Sequence, residues 1–120
     1  MEILIIDDNK AITTMLSKFL KMEGIACTVS NSGKNGLEVI QKNKWDCVLL
    51  DLTMPEFSGY DVLEALEKDD MIKSKNITLF TATEISDQQI GEWKDKGVKS
   101  VLRKPVDLDL LLKMLRNNLD

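Results

Sequence analysis

In this 120-residue chain, three carboxylates, a hydroxyl and an ammonium each follow an apolar run. Ile3-Leu4-Ile5-Ile6 leads into Asp7-Asp8, and Cys47-Val48-Leu49-Leu50 leads into Asp51. Ile77-Thr78-Leu79-Phe80 ends on Thr81, and Val98 to Arg103 ends on Lys104-Pro105. Unbroken apolar runs of this length fit strands covered on both faces. In a parallel sheet the strand ends of one sense share one edge, where ligands of open α/β sheets bind. A carboxylate at the end of a buried strand loses hydration unless something compensates it. Asp7, Asp8 and Asp51 against Lys104 leave a surplus of negative charge in a small crevice, which calls for a divalent cation. Few, hard oxygen ligands suit Mg2+, which keeps several waters, and Mn2+ could substitute. Without metal, mutual repulsion should raise at least one carboxyl pKa, so cation affinity should fall in acid. The plainer alternative is a structural salt-bridge cluster around Lys104.

With the cation in place, a carboxylate can attack phosphorus and form an aspartyl phosphate. Phosphoryl transfer needs mainly positioning and charge neutralisation. Asp51 is the acceptor of choice, because it stands alone after the central strand while Asp7 and Asp8 are paired as metal holders. Lys104 and the Thr81 hydroxyl would then bind phosphoryl oxygens. A hydroxyl drawn towards a new dianion would move its loop, and the helix after it can follow.

The elements that must position these groups are legible from periodicity. The chain predicts a single domain over 1–120, with ordinary hydrophobic (43%) and charged (30%) content. No apolar run approaches the roughly 18 residues of a membrane span, and no secretory leader is seen, so the expectation is a cytoplasmic protein. There is no His, which excludes His-ligated zinc and the usual triads, and the net charge of -4 argues against nucleic acid as a direct partner. Cys27 and Cys47 are expected as buried thiols in strands rather than a disulfide. Lys94, Lys96, Lys99 and Arg103 read as a solvated basic face.

The first strand spans 2–6, and Asn9 caps a helix to about Glu23 with Ile12, Met15, Leu16, Phe19 and Leu20 as its apolar stripe, ended by Gly24. A strand over 25–29, a Ser32 cap and a helix with Leu37, Val39 and Ile40 follow. Gly33-Lys34-Asn35-Gly36 lacks phosphate-loop spacing and reads as a helix start. After the central strand come a loop over 54–59, a helix over 60–68 with Val62, Leu63 and Leu66 inward, and a polar connection over 69–76. The helix over about 86–96 has only Ile85, Ile90 and Trp93 as anchors and is a candidate mobile element, closed by Gly97. The last helix, from Asp107, carries Leu108, Leu111, Leu112, Leu115 and Leu119 as a core stripe, with Leu110 and Met114 as surplus. Strand and helix alternate five times, which predicts α/β architecture with a parallel sheet, right-handed crossovers and helices on both faces.

These motifs over the whole chain resemble the receiver domains of two-component response regulators. They are the acidic pair, Asp51-x-x-Met54-Pro55-x-x-x-Gly59, Thr81-Ala82 and Lys104-Pro105. The resemblance implies a flavodoxin-like (βα)5 doubly wound fold with strand order 2-1-3-4-5, which separates the strands of Cys27 and Cys47 by one. It implies Asp51 as phosphoacceptor, with Asp8, Asp51 and the main-chain carbonyl of Thr53 as Mg2+ ligands and Asp7 holding the ion through water. Thr81, Ala82 and Lys104 would bind the phosphoryl group, and the Lys104-Pro105 bond would be cis. The implied partners are a sensor histidine kinase or histidine phosphotransfer protein, and a target reached through the fourth helix, fifth strand and fifth helix. The domain would be a signalling protein, not an enzyme beyond its own phosphotransfer and autodephosphorylation. Val101 departs from the pattern, standing where the family often has an aromatic, so an aromatic-rotamer output is in doubt. Trp93 is large for its position. Thr53 and Thr83 occupy the positions that tune the attacking water, and hydroxyls there imply intermediate dephosphorylation.

Two rivals share parts of this pattern. A Mg2+-dependent phosphatase of the haloacid dehalogenase type also uses an aspartyl phosphate, but Thr53 stands where its second Asp would be, and no cap domain is present. A degenerate receiver used purely for binding would lack part of the reactive set, and this chain has all of it.

Overall fold

The computed structural model describes residues 1–82 and 84–117. Five strands alternate with five helices: β1 (Glu2–Ile6), α1 (Lys10–Met22), β2 (Ala26–Ser30), α2 (Gly33–Lys42), β3 (Cys47–Leu50), α3 (Gly59–Lys68), β4 (Ile77–Thr81), α4 (Asp87–Lys96), β5 (Ser100–Arg103) and α5 (Leu108–Asn117). The strands form one parallel sheet in the order β2-β1-β3-β4-β5. This is the flavodoxin-like topology that the motif pattern implies.

Successive strand side chains point to opposite faces, so the unbroken apolar runs divide between two cores. Leu4, Ile6, Val48, Leu50, Ile77 and Leu79 pack with Ile40 of α2 and Val62, Leu63 and Leu66 of α3. Ile3, Ile5, Cys47, Leu49, Phe80 and Leu102 pack with Leu16 and Leu20 of α1 and Leu111 and Leu115 of α5. Every residue of β3 is buried, which explains a strand with no polar alternation.

The helix starts follow their caps. Asn9, Ser32, Ser58 and Ser86 each accept a backbone N–H from the first turn of α1, α2, α3 and α4, and the caps of α3 and α4 are reciprocal boxes with Asp61 and Gln89. Gly24, at φ 77°, takes the left-handed turn after α1. The Gly33–Gly36 stretch is the first turn of α2.

Several details differ from the periodicity. Met15 is 41% exposed, while Thr13 is buried. At about 100° per residue, Thr13, Leu16 and Leu20 define the buried direction, and Met15 lies roughly 130° away from it. The polar connection over 69–76 contains a 3₁₀ turn (Lys73–Lys75) and a buried Ile72. The surplus on α5 divides: Leu110 is exposed, whereas Met114 packs on the core and its sulfur accepts the Ser100 hydroxyl at 3.4 Å. Leu108 and Leu112 are half-buried, and Leu119 lies outside the described residues. Cys47 is buried but Cys27, on the edge strand, only partly so. Both align with Ile3 from opposite sides of β1, two strand spacings or about 10 Å apart, beyond disulfide reach, and both are free thiols. Lys94, Lys96, Lys99 and Arg103 are all exposed, as a solvated face requires.

Candidate functional site

The site forms one residue beyond the last registered pairs of the sheet. Ile6 and Leu50 are partners, and the Asp51 N–H donates to the Ile6 carbonyl at 2.9 Å. Asp7 and Asp51 are therefore neighbours at the carboxyl edge of two adjacent buried strands. The Lys104 N–H donates to the Thr81 carbonyl at 2.9 Å, which brings the ends of β4 and β5 to the same edge. The Lys104-Pro105 bond is cis.

Asp7, Asp8 and Asp51 each offer one oxygen to a cluster whose members all lie within 4.8 Å of one another. Asp7 and Asp51 are buried and Asp8 is exposed. The Lys104 ammonium lies 2.6 Å from Asp7 Oδ2 and 3.6 Å from Asp51 Oδ2. It also sits 4.9 Å above the Phe80 ring, so the strand residue beneath it supports the ammonium by a cation–π contact. The other Asp7 oxygen, Oδ1, accepts the Asn9 N–H at 2.9 Å. Asp51 Oδ1 accepts the Thr53 N–H at 3.3 Å.

Burial pushes the Asp51 carboxyl up to about 6, with the Asp7 and Asp8 charges adding to it and Lys104 and the Thr53 N–H opposing. The expectation of a raised carboxyl holds, with burial ahead of repulsion as its cause. Three carboxylates in one crevice with a single ammonium fit a hard divalent cation, since one oxygen from each leaves room for the waters such an ion keeps.

Thr81 is buried at the end of β4 and Ala82 is exposed just after it. Thr53 is exposed on the loop after β3, and Thr83 lies outside the described residues. Val101 is half-buried against the α4 side of the sheet, in register with Leu79. Gly59 opens α3 directly behind Asp51. A Cβ there would stand 2.6 Å from Leu52 Cα and meet the Asp51 carbonyl, so only glycine allows α3 this close.

Two groups at the site carry no signal in the linear pattern: Asn31 donates to the Asp7 carbonyl at 2.8 Å and to Thr13 Oγ1 at 3.1 Å. Thr13 sits among apolar helix positions, and Asn31 in a loop that the spacing leaves undistinguished.

Residues 3–116 match the profile of the response regulator receiver domain. The chain belongs to that family. Among its relatives, an uncharacterized transcriptional regulatory protein of Bacillus subtilis (strain 168), YkoG, is 33% identical over 115 residues, covering 95% of this chain and 49% of that protein. The sensor histidine kinase RcsC of Salmonella typhimurium is 32% identical over 119 residues, covering 96% of this chain and 12% of that protein. The solved structure of Vibrio cholerae chemotaxis protein CheY4 is 28% identical, with a TM-score of 0.82 over 97% of this chain and 96% of that one. The chain thus spans about half, or much less, of the curated relatives it matches here. The family is a signalling one, and no helix among the described residues is long and apolar enough to cross a membrane.

Proposed function

We propose that this domain is a cytoplasmic phosphoacceptor in two-component signalling, taking a phosphoryl group from a phosphohistidine onto Asp51. The observation that carries this is the buried Asp51 carboxylate, within 4.8 Å of two further acids and 3.6 Å from one ammonium. Asp8, Asp51 and the Thr53 carbonyl would hold Mg2+, and Asp7, with both oxygens already bonded to Asn9 and Lys104, would reach it through water. When bound, Mg2+ neutralises the carboxylates and the equatorial phosphoryl oxygens.

An Asp51 oxygen forms the new O–P bond as the P–N bond of the phosphohistidine breaks, and the released imidazole takes its proton from solvent. Burial and the neighbouring charges make the Asp51 carboxylate a costly group to keep ionised. Acyl phosphate formation relieves this only with the incoming charge compensated, so Lys104 turns from Asp7 towards a phosphoryl oxygen. The Thr81 hydroxyl donates to another. Ala82 follows Thr81, and α4, which has no buried residue, follows the loop.

The donor is a sensor histidine kinase or histidine phosphotransfer protein, and the target docks on α4, β5 and α5, where Leu110 is exposed. Val101 has no ring to swing, so the output runs through the Thr81 loop and α4 rather than an aromatic rotamer. Thr53 and Thr83 leave water an intermediate access to the phosphoryl group. The domain catalyses only its own phosphotransfer and autodephosphorylation.

Intact mass after incubation with Mg2+ and acetyl phosphate tests this. A single phosphoryl adduct, dependent on Mg2+ and absent in Asp51→Asn, is expected. No adduct, together with no Mg2+ binding, would overturn the proposal and leave a binding-only receiver.

A further inference from the structure

Two consecutive acids in extended backbone point to opposite faces of a sheet. Asp7 and Asp8 bring oxygens to one cluster with Asp51 because the chain bends at Asp8, between β1 and α1. The hydrogen bonds that set this bend are therefore the bonds that set the geometry of the acidic pair. The Asp7 N–H still belongs to the sheet, donating to the Ser30 carbonyl at 3.1 Å. The Asp7 carbonyl instead accepts a side-chain N–H from Asn31, at 2.8 Å, in the loop between β2 and α2.

The same Asn31 nitrogen donates to Thr13 Oγ1 at 3.1 Å, and Thr13 Oγ1 in turn donates to the Lys10 carbonyl at 3.2 Å. A carboxamide nitrogen carries two hydrogens, and both are used here. One side chain thus ties the bend of the acidic pair to the first turn of α1, at the buried Thr13. This also accounts for a polar Thr13 inside the apolar face of α1: it is the second anchor of the Asn31 amide.

From this geometry we infer that Asn31 is a positioning residue for the divalent-cation site, holding Asp7 and Asp8 in the bent arrangement through the Asp7 carbonyl and Thr13. It touches neither cation nor phosphoryl group. The inference rests on the assignment of the acidic pair as cation holders made above. Only a donor serves at this position. Aspartate has the same shape but would set a carboxylate against the Asp7 carbonyl and the Thr13 oxygen. Groups that hold metal ligands in place typically change metal affinity by about 10–100-fold when removed.

The test uses Mn2+ alone, with free ion counted by electron paramagnetic resonance, on wild type, Asn31→Ala, Asn31→Asp and Thr13→Val. Urea unfolding in chelator runs in parallel. Asn31→Ala should weaken Mn2+ binding by about tenfold or more, and Thr13→Val by less in the same direction. Asn31→Asp should also weaken it, although its added negative charge would tighten binding by simple attraction. The Asp variant and Thr13→Val carry the test if Asn31→Ala does not fold. Tighter binding in Asn31→Asp, or affinities within about twofold of wild type in variants that have merely lost stability, would overturn the inference. If wild type accepts phosphoryl and binds Mn2+ while the variants match it, only this inference falls. If wild type binds no Mn2+, this inference falls together with the proposed function.

Discussion

Lys104 Nζ lies 2.6 Å from Asp7 Oδ2, closing an ion pair across 97 residues of chain between the ends of β1 and β5. The pair is largely removed from water, with Asp7 at 0% and Lys104 at 14% side-chain exposure. Removing one partner of a buried pair leaves an uncompensated charge, which costs about 3–5 kcal/mol. Lys104→Met keeps the stem volume and deletes the charge, so the metal-free domain should lose about 3 kcal/mol at neutral pH. Saturating Mg2+ should recover much of this, because the cation supplies the missing positive charge. Urea unfolding with and without Mg2+ checks it, and an equal deficit in both conditions would speak against a shared charge balance.

The raised Asp51 carboxyl makes a pH prediction for the metal-free protein. Its folded pKa of about 6 exceeds the usual 3.8, so between these values the folded state binds more protons than the unfolded one. Stability from this group is then present below about pH 4 and lost as pH rises through about 6. The amount is on the order of 2–3 kcal/mol, at roughly 1.4 kcal/mol per pKa unit. Asp51→Asn should therefore be more stable than wild type at pH 7 in chelator and should flatten the pH 4–6 slope. Thermal melts across that range provide the comparison, and a wild-type slope of the opposite sign from this group would contradict the burial argument.

Gly59→Ala should displace Asp51 from behind. The added Cβ meets the Asp51 carbonyl and the Leu52 Cα, both main-chain atoms that cannot swing aside, and the Gly59 N–H is already bonded to the Leu52 carbonyl at 3.0 Å. Overpacking of this kind costs about 1–3 kcal/mol. The variant should lose about 2 kcal/mol or more in urea unfolding and take up phosphoryl from acetyl phosphate more slowly than wild type at saturating Mg2+.

Much of this site is legible without coordinates because a fully buried strand must end somewhere, and the residue at its end declares what the edge is for. Asp51 after Val48-Leu49-Leu50, and Asp7 after Ile3 to Ile6, mark neighbouring strand ends by residue type alone. The caps at Asn9 and Ser32 are equally local, since each acts on its own first turn. What periodicity misses is set by tertiary placement. Met15 and Thr13 exchange their expected roles because the exact direction of α1 against the sheet decides which edge of a broad stripe is covered. Asn31 becomes a partner of Asp7 only when β2 lies beside β1, and Ile72 becomes core only when the connection over 69–76 folds under α3 and β4.

The last prediction concerns α4. It buries no residue, and Ile90 and Trp93 only lean on the core. Its other ties are weak: the Lys96–Glu67 pair at 3.3 Å is 45% exposed on both sides, and such pairs contribute at most about 1 kcal/mol. The Lys96–Trp93 contact at 4.7 Å lies within the helix and anchors it to nothing. Its Ser86–Gln89 capping box fixes where the helix starts, so its secondary structure is secure while its attachment is not. Local opening follows the number of buried apolar contacts, so α4 amides should exchange at least about tenfold faster than those of α1, whose Leu16 and Leu20 are fully buried. Trp93 is a reporter of the same motion. In a Trp45→Phe background, which removes the buried indole bonded to the Val39 carbonyl, Trp93 emission should shift on Mg2+-dependent phosphorylation and stay unchanged in Asp51→Asn. Protection in α4 equal to that of α1, with Trp93 emission indifferent to phosphorylation, would show that α4 does not move when Asp51 is modified.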